Sequence, residues 1–178
     1  MAWRIVAVAA LMLFALSACA SRQTDAPAMA DDQSMEQASK TSSEEERSRQ
    51  QRQDEADRRQ FESEFNRFIY EDIFFGRNQY RLDEQAQREL LWKATWLLQY
   101  PEIKVLIEGH CDEGGSPEDN LALGARRAGE VQSMFLRQGV ARERLTAISY
   151  GKERPVATGE GEEVRFKNRR VRTLIIED

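Results

Sequence analysis

The sequence predicts a two-layer α/β domain of order β-α-β-α-β-β, a mixed sheet with its two long helices on one face, behind a long polar N-terminal region. Three observations carry this. Val105, Leu106 and Ile107 form a short apolar run ending at Gly109, the pattern of a buried strand. Apolar residues at helical spacing lie on either side of it, over residues 86–98 and 121–135. Two further strand-like runs, residues 145–150 and 170–176, complete the set.

The chain has 178 residues, 40% of them apolar, which suffices for one core, while 32% charged residues with a net charge of −5 favour solubility. Nothing in it is basic enough to call for a nucleic-acid partner. Trp3-Arg4 gives a positive start and residues 5–16 are unbroken apolar, followed at once by Leu16-Ser17-Ala18-Cys19. Residues 1–18 therefore read as a signal peptide, too short to span a bilayer. The small residues before Cys19 resemble a bacterial lipobox, in which the cysteine becomes the acylated first residue. The alternative is an ordinary signal peptide with a cysteine by chance. Three acyl chains would anchor far more firmly than one.

Residues 19–43 are rich in Ala, Ser, Gln, Asp and Thr and cannot bury enough surface to order themselves, so they are expected to form a flexible tether. Residues 44–69 read as a charged helical spacer. Its first part, residues 44–60, carries six acidic and five basic residues with Ala56 alone apolar, which leaves no heptad seam and points to a monomer. A frayed charged arm is the competing reading there. Phe61, Phe65, Phe68 and Ile69 recur at helical spacing, so the last two turns should dock on the domain, residues 70–178.

Ile73-Phe74-Phe75 opens that domain as a strand, and Gly76-Arg77-Asn78-Gln79-Tyr80 makes a loop. Asp83 caps a helix that Pro101 stops. After the central strand, Gly114-Gly115-Ser116-Pro117 feeds the second helix: Ser116 fits the N-cap, Pro117 the first helical position, and Gly139 the C-terminal cap. At about 100° per residue, Leu121, Ala125, Ala128, Val131 and Phe135 share the face expected to pack on the sheet. Arg126 then points to solvent, and Arg127 lies on the flank, able to turn its guanidinium toward Asp112. Two readings stand for that couple. Either Asp112 and Arg127 pair with each other, or they form opposite walls of a pocket for a zwitterion, with Asp112 on an ammonium and Arg127 forked onto a carboxylate.

Cys111 has no partner once Cys19 is acylated, so an intramolecular disulfide is not expected. His110 is the single histidine, and it neighbours Cys111 on a strand, where successive side chains point to opposite faces. Neither a metal nor a cofactor nor nucleophilic chemistry is expected, and the protein reads as no enzyme.

Glu108-Gly109-His110-Cys111-Asp112-Glu113, Asn120, Leu123-Gly124-Ala125-Arg126-Arg127-Ala128, the run from Ser149 to Pro155, and Asn168-Arg169-Arg170-Val171 together resemble the OmpA-like peptidoglycan-binding family, most closely its peptidoglycan-associated lipoprotein branch. The resemblance implies an outer-membrane lipoprotein facing the periplasm. It implies non-covalent binding of peptidoglycan stem peptides through meso-diaminopimelate, with TolA and TolB homologues of a Tol-Pal system as partners in envelope integrity and cell division. It places Asp112 on the ammonium, Arg127 on the carboxylate, and the backbone around Gly114 and Gly115 at the helix start. Asn78, Asn120, Asn168 and Arg169 border the groove, the last two on a loop before the final strand.

The chain departs from the family twice. Many members carry Asp-Phe-Asp-Lys where this chain has Gly76, Arg77, Asn78 and Gln79, so Asn78 brings no charge; Gly114 stands where relatives have Arg. An OmpA-like lipoprotein serving as structural anchor in a secretion or motility machine is the alternative function. A wall hydrolase would need a carboxylate pair or metal centre, for which the residues give no support.

Overall fold

The structure is a computed structural model that describes residues 32–176, with side chains described from residue 43. The expected signal peptide, Cys19 and the first half of the expected tether lie outside the described residues. The chain divides into two units between Arg49 and Gln50. A helix, α1 (Asp32–Tyr70), begins inside the stretch expected to be tether, and residues 44–60 of it are almost all exposed. No helix among the described residues is long and apolar enough to cross a membrane.

The second unit carries the α/β domain. Its elements are β1 (Ile73–Phe74), α2 (Glu84–Gln99), β2 (Lys104–His110), α3 (Pro117–Arg137), a 3-10 turn (Arg142–Arg144), β3 (Leu145–Gly151), α4 (Glu162–Asn168) and β4 (Arg170–Ile176). The strands lie in the order β1-β4-β2-β3, with β2 and β3 parallel and β4 antiparallel to both β1 and β2. This is the expected mixed sheet with one additional helix, α4. That helix has seven residues between Gly161 and β4 and offers only Val164 and Phe166 as apolar residues, too little for a periodic signal.

The starts of the two long helices follow from local chemistry. Asp83 Oδ1 accepts from Ala86 N–H at 2.8 Å, and Ser116 Oγ accepts from Asp119 N–H at 3.0 Å with Pro117 directly after it. At the end of α3, Gly139 takes a left-handed φ of 95°, and Val140 N–H returns to Phe135 O. The carbonyls left open at the end of α2 are met by Arg144, which donates to Leu97, Tyr100 and Ile103 oxygens at 2.8–2.9 Å.

The last turns of α1 dock as expected. Phe61, Phe65 and Phe68 meet Trp96 and Tyr100, with ring centroids 4.9–6.4 Å apart. Lys93, wholly buried, donates to the carbonyls of Phe68 and Glu71 and to Thr173 Oγ1, so one ammonium fastens the end of α1 to α2 and β4.

The face of α3 that meets the sheet differs from the expected one. Asn120, Gly124, Arg127, Ala128, Val131 and Phe135 are buried, whereas Leu121 is 53% exposed and Ala125 is also on the surface. The cause is a close approach of backbones. A Cβ on Gly109 would lie 2.0 Å from Gly124 O, and one on Gly124 would lie 2.3 Å from Ser149 Oγ. Gly124 therefore marks the line of contact, and the apolar residues one step round from it, Leu121 and Ala125, turn outward.

Candidate ligand-binding site

The strand directions place one end of every strand on the same side of the sheet. The segments leaving β1, β2 and β3 and the one entering β4 all meet there. Each sequence-derived wall-binding candidate belongs to one of these segments or to the adjoining α3.

The loop after β2 is built from its own side chains. Cys111 N–H donates to Gly151 O at 2.8 Å, and Gly114 N–H donates to Asp112 Oδ1 at 3.2 Å, a local turn of the kind Asp favours. Gly115 has φ 85°, and Lys152 Nζ holds its carbonyl at 2.8 Å. Asn120 Nδ2, buried in the first turn of α3, donates to Gly114 O at 2.6 Å and Ser116 O at 3.1 Å. Asn120 is thus a loop organiser beneath the surface.

Arg127 lies deeper than the sequence suggested. Its side chain is fully buried beside the Phe75 ring and ends on three carbonyls: Nε on Gln79 at 2.8 Å, Nη1 on His110 at 2.7 Å and Nη2 on Gly76 at 3.2 Å. Burial lowers its pKa from the ordinary arginine value, with Cys111 and Asp112 opposing. Of the two readings for this couple, the direct pairing of Arg127 with Asp112 is not formed, and for the other, the buried guanidinium has its fork turned to backbone carbonyls. Asp112 Oδ2 instead accepts from Arg169 Nη1 at 3.1 Å. Helical-wheel reasoning measured Arg127 from the wrong centre; taken from Gly124, it falls on the buried side.

Arg169, expected only to border the groove, is the hub of the cluster. Its side chain is 4% exposed, donates Nε to Phe75 O at 3.1 Å, and divides its two terminal nitrogens between Asp112 and Glu162 Oε1, the latter at 2.6 Å. Burial pulls its pKa down, but the hydrogen bonds it donates to Glu162 and Asp112, with their negative charge, outweigh it and the net direction is upward. Asn168 is the last residue of α4 rather than a loop residue, and its carboxamide bridges to the backbone of Val156 and Ala157 at 2.8–3.0 Å. Asn78 is exposed at the tip of the first loop with φ 55°, a conformation Asn tolerates better than most residues. Glu113, next to Asp112, has its pKa lowered by a 2.8 Å bond from Arg165. A cavity of about 210 Å³ adjoins this cluster, with Cys111, Glu113, Lys152 and Asn168 in its wall.

His110 and Cys111 do turn to opposite sides. Cys111 Sγ lies 3.3 Å from Asn120 O, and burial raises its thiol pKa. The His110 ring stacks on Tyr150, and neither ring nitrogen has a hydrogen-bond partner. Burial, then Arg170, Arg172 and Arg154, hold its pKa at about 4, so the ring is neutral at pH 7 even though Glu108 lies 3.6 Å away. Among the described residues no group of three or more His, Cys, Asp or Glu side chains could hold a metal ion.

Two expectations follow. Arg127→Ala should cost about 2–4 kcal/mol of stability, because it strands the carbonyls of Gly76, Gln79 and His110 inside the protein, whereas Arg126→Ala should change it by about 0.5 kcal/mol or less. Urea unfolding of both variants tests this, and equal midpoints would refute it. The second concerns pH. The folded pKa of His110, about 4, lies below its ordinary value of 6.5, so the native state binds fewer protons; its contribution is complete above pH 6.5 and is lost as pH falls toward 4. His110→Phe should keep the ring stacking and remove about 1–3 kcal/mol of that acid-side loss, read as the difference between the two proteins' stability–pH curves. Parallel curves would show that His110 does not titrate in this way.

Residues 74–169 match the model of the OmpA family. The chain is 44% identical over 107 residues to the peptidoglycan-associated lipoprotein of Mesorhizobium japonicum, covering 60% of this chain and 64% of the relative. It is 43% identical over 103 residues to that of Agrobacterium fabrum, 58% of each chain. The match thus spans less than two thirds of these relatives' own length. Among solved structures, the peptidoglycan-associated lipoprotein of Burkholderia pseudomallei superposes with a TM-score of 0.58 at 36% identity, over 59% of this chain and 89% of that one. The C-terminal domain of Helicobacter pylori MotB gives a TM-score of 0.57 at 23% identity, over 61% and 85%, which speaks to the fold alone. With its α/β domain matched from the first strand to the residue before the last, the chain belongs to the OmpA family.

Proposed function

We propose that this protein is a lipid-anchored envelope protein that ties the outer membrane to the cell wall by holding peptidoglycan stem peptides non-covalently. Residues 1–18 serve as the signal peptide, Cys19 takes the acyl chains, the stretch from there to the start of α1 at Asp32 acts as tether, and α1 acts as spacer. The domain from residue 70 reaches the wall from the periplasmic side. The likeness to proteins named peptidoglycan-associated lipoprotein supports this reading, as does the site itself.

The observation that carries it is a separation of charge. Asp112, 17% exposed, stands at the end of β2 with Arg169 behind it, while Arg127 keeps an interior positive charge whose donors go to three carbonyls and the Cys111 sulfur and to no carboxylate. A ligand with an ammonium and a carboxylate close together, as at the side-chain end of meso-diaminopimelate, suits such a pair of poles. The ammonium goes to Asp112. The carboxylate goes to the polar backbone of the loop at Gly114 and Gly115 and the start of α3, a helix of 21 residues, under the field of Arg127. Asn78, Asn168 and Arg169 flank the groove, and Asn120 shapes it from below. Asp112 and its acidic neighbour Glu162 both accept from the same guanidinium, an arrangement that favours binding over hydrolysis. TolA and TolB homologues are the partners this role implies, in envelope integrity and cell division.

Two experiments test the proposal. Wild-type protein should sediment with purified sacculi that contain meso-diaminopimelate and be released by the free amino acid. Asp112→Asn should weaken this by about tenfold, or about 1.4 kcal/mol. Sedimentation that ignores the competitor, or an Asp112→Asn variant that binds like wild type, would refute the assignment. In cells, Cys19→Ser should shift the protein from the outer-membrane fraction to the soluble periplasm or leave it unprocessed; unchanged outer-membrane recovery in cells lacking Tol proteins would overturn the anchor.

A further inference from the structure

One cation holds two carboxylates at the strand ends. Arg169 gives Nη1 to Asp112 at 3.1 Å and Nη2 to Glu162 at 2.6 Å, so the trio carries one surplus negative charge. Among the described residues no other cation bonds to either carboxylate: Lys152 sits on the Gly115 carbonyl at 2.8 Å, and Arg165 and Arg127 act on the pair only through their fields. Glu113 is matched by Arg165 at 2.8 Å, Glu163 by Lys167 at 2.8 Å, and Arg127 directs its donors to carbonyls and the Cys111 sulfur.

The surplus charge also sits where a ligand can reach it. The Arg169 side chain is 4% exposed and is fixed from behind by Phe75 O, whereas that of Glu162 is 68% exposed. A buried guanidinium thus sets the direction of an exposed carboxylate. The first loop offers no acid of its own, since Asn78 at its tip is uncharged.

We propose that Glu162 is a specificity-determining residue of the wall-binding site, forming with Asp112 a two-carboxylate seat for the ammonium of the bound diamino acid. This rests on the wall-binding reading above and adds a residue from α4, an element that the sequence pattern did not disclose. In this arrangement Arg169 is a positioning residue. It keeps the two carboxylates from repelling each other and leaves for the ligand Glu162 Oε2 and the second acceptor site of Asp112 Oδ1, which already accepts from Gly114 N–H at 3.2 Å.

Glu162→Gln preserves the hydrogen bond to Arg169 and removes only the charge. In purified full-length protein in detergent, it should lower affinity for meso-diaminopimelate sacculi by about three- to tenfold, with Glu163→Gln within about twofold of wild type. The more selective readout is competition by free meso-diaminopimelate against pimelate, which has the same carbon chain and carboxylates but no ammonium. Wild type should prefer the diamino acid, and Glu162→Gln should lose most of that preference. Unchanged affinity and preference would overturn the proposal, as would weaker binding with the preference intact, which would mark Glu162 as structural only. Failure of the wild type to bind sacculi at all would remove the wall-binding reading and this inference with it.

Discussion

The site depends on how a guanidinium with almost no access to water is satisfied. Arg127 enters from α3 and ends on the carbonyls of Gly76, Gln79 and His110, which belong to the first loop and to the end of β2. A buried cation is tolerable only if its donors are met, and here dipoles meet most of them in place of a carboxylate. Two consequences follow. The first loop, which has little apolar anchorage beyond Phe75, gains a fixed position, and Asp112 is left free of Arg127 to be held by Arg169.

The same device recurs elsewhere in the domain. Lys93 closes the end of α1 on Phe68 and Glu71 carbonyls, and Arg144 closes the end of α2 on Leu97 and Tyr100 carbonyls. Helix C-termini leave carbonyls without partners and carry partial negative charge, so a long cationic side chain from a neighbouring element both satisfies and staples them. Burial draws the Lys93 ammonium down to about 8 despite nearby Glu89, Asp72 and Glu71, so the staple remains mostly charged at neutral pH. It bears on function because α1 connects the domain to everything N-terminal of it. The aromatic cluster of Phe61, Phe68, Trp96 and Tyr100 supplies apolar burial at that junction, and Lys93 supplies its polar closure.

What could be read in the sequence was what depends on neighbours in the chain. Asp83, Ser116, Pro117 and Gly139 act within one turn of their own positions, and the strand from Arg170 to Ile176 declares itself by its own run of residues. The errors came from contacts between distant segments. Leu121 and Ala125 looked buried because an apolar stripe defines a helix face until a closer approach, here Gly124 on Gly109, redefines it. Asp112 and Arg127 looked like partners because both signals were local, while the residue that takes Asp112 lies 57 positions away. A run of seven residues such as α4 has too few turns to show a period, so Glu162 gave no sign of its place beside Asp112.

Strand directions explain why such distant residues converge. Because β2 and β3 run parallel, the segments leaving them emerge at one end of the sheet, and because β4 is antiparallel to β2, it begins at that same end. β1, antiparallel to β4, finishes there too. Four otherwise unrelated segments therefore share one rim: the first loop with Asn78, the turn with Asp112, the stretch after Gly151, and α4 with Arg169. Irregular backbone on such a rim must be pinned by side chains, and here the carboxamides of Asn120 and Asn168 share that work with charged groups that reach across to adjacent segments. Arg169 joins Asp112 to Glu162, and Arg127, fully buried, joins α3 to the first loop, so both signs of charge gather on the same rim. Under the proposed wall-binding reading, such a rim suits a ligand that carries both charges better than one that carries either alone.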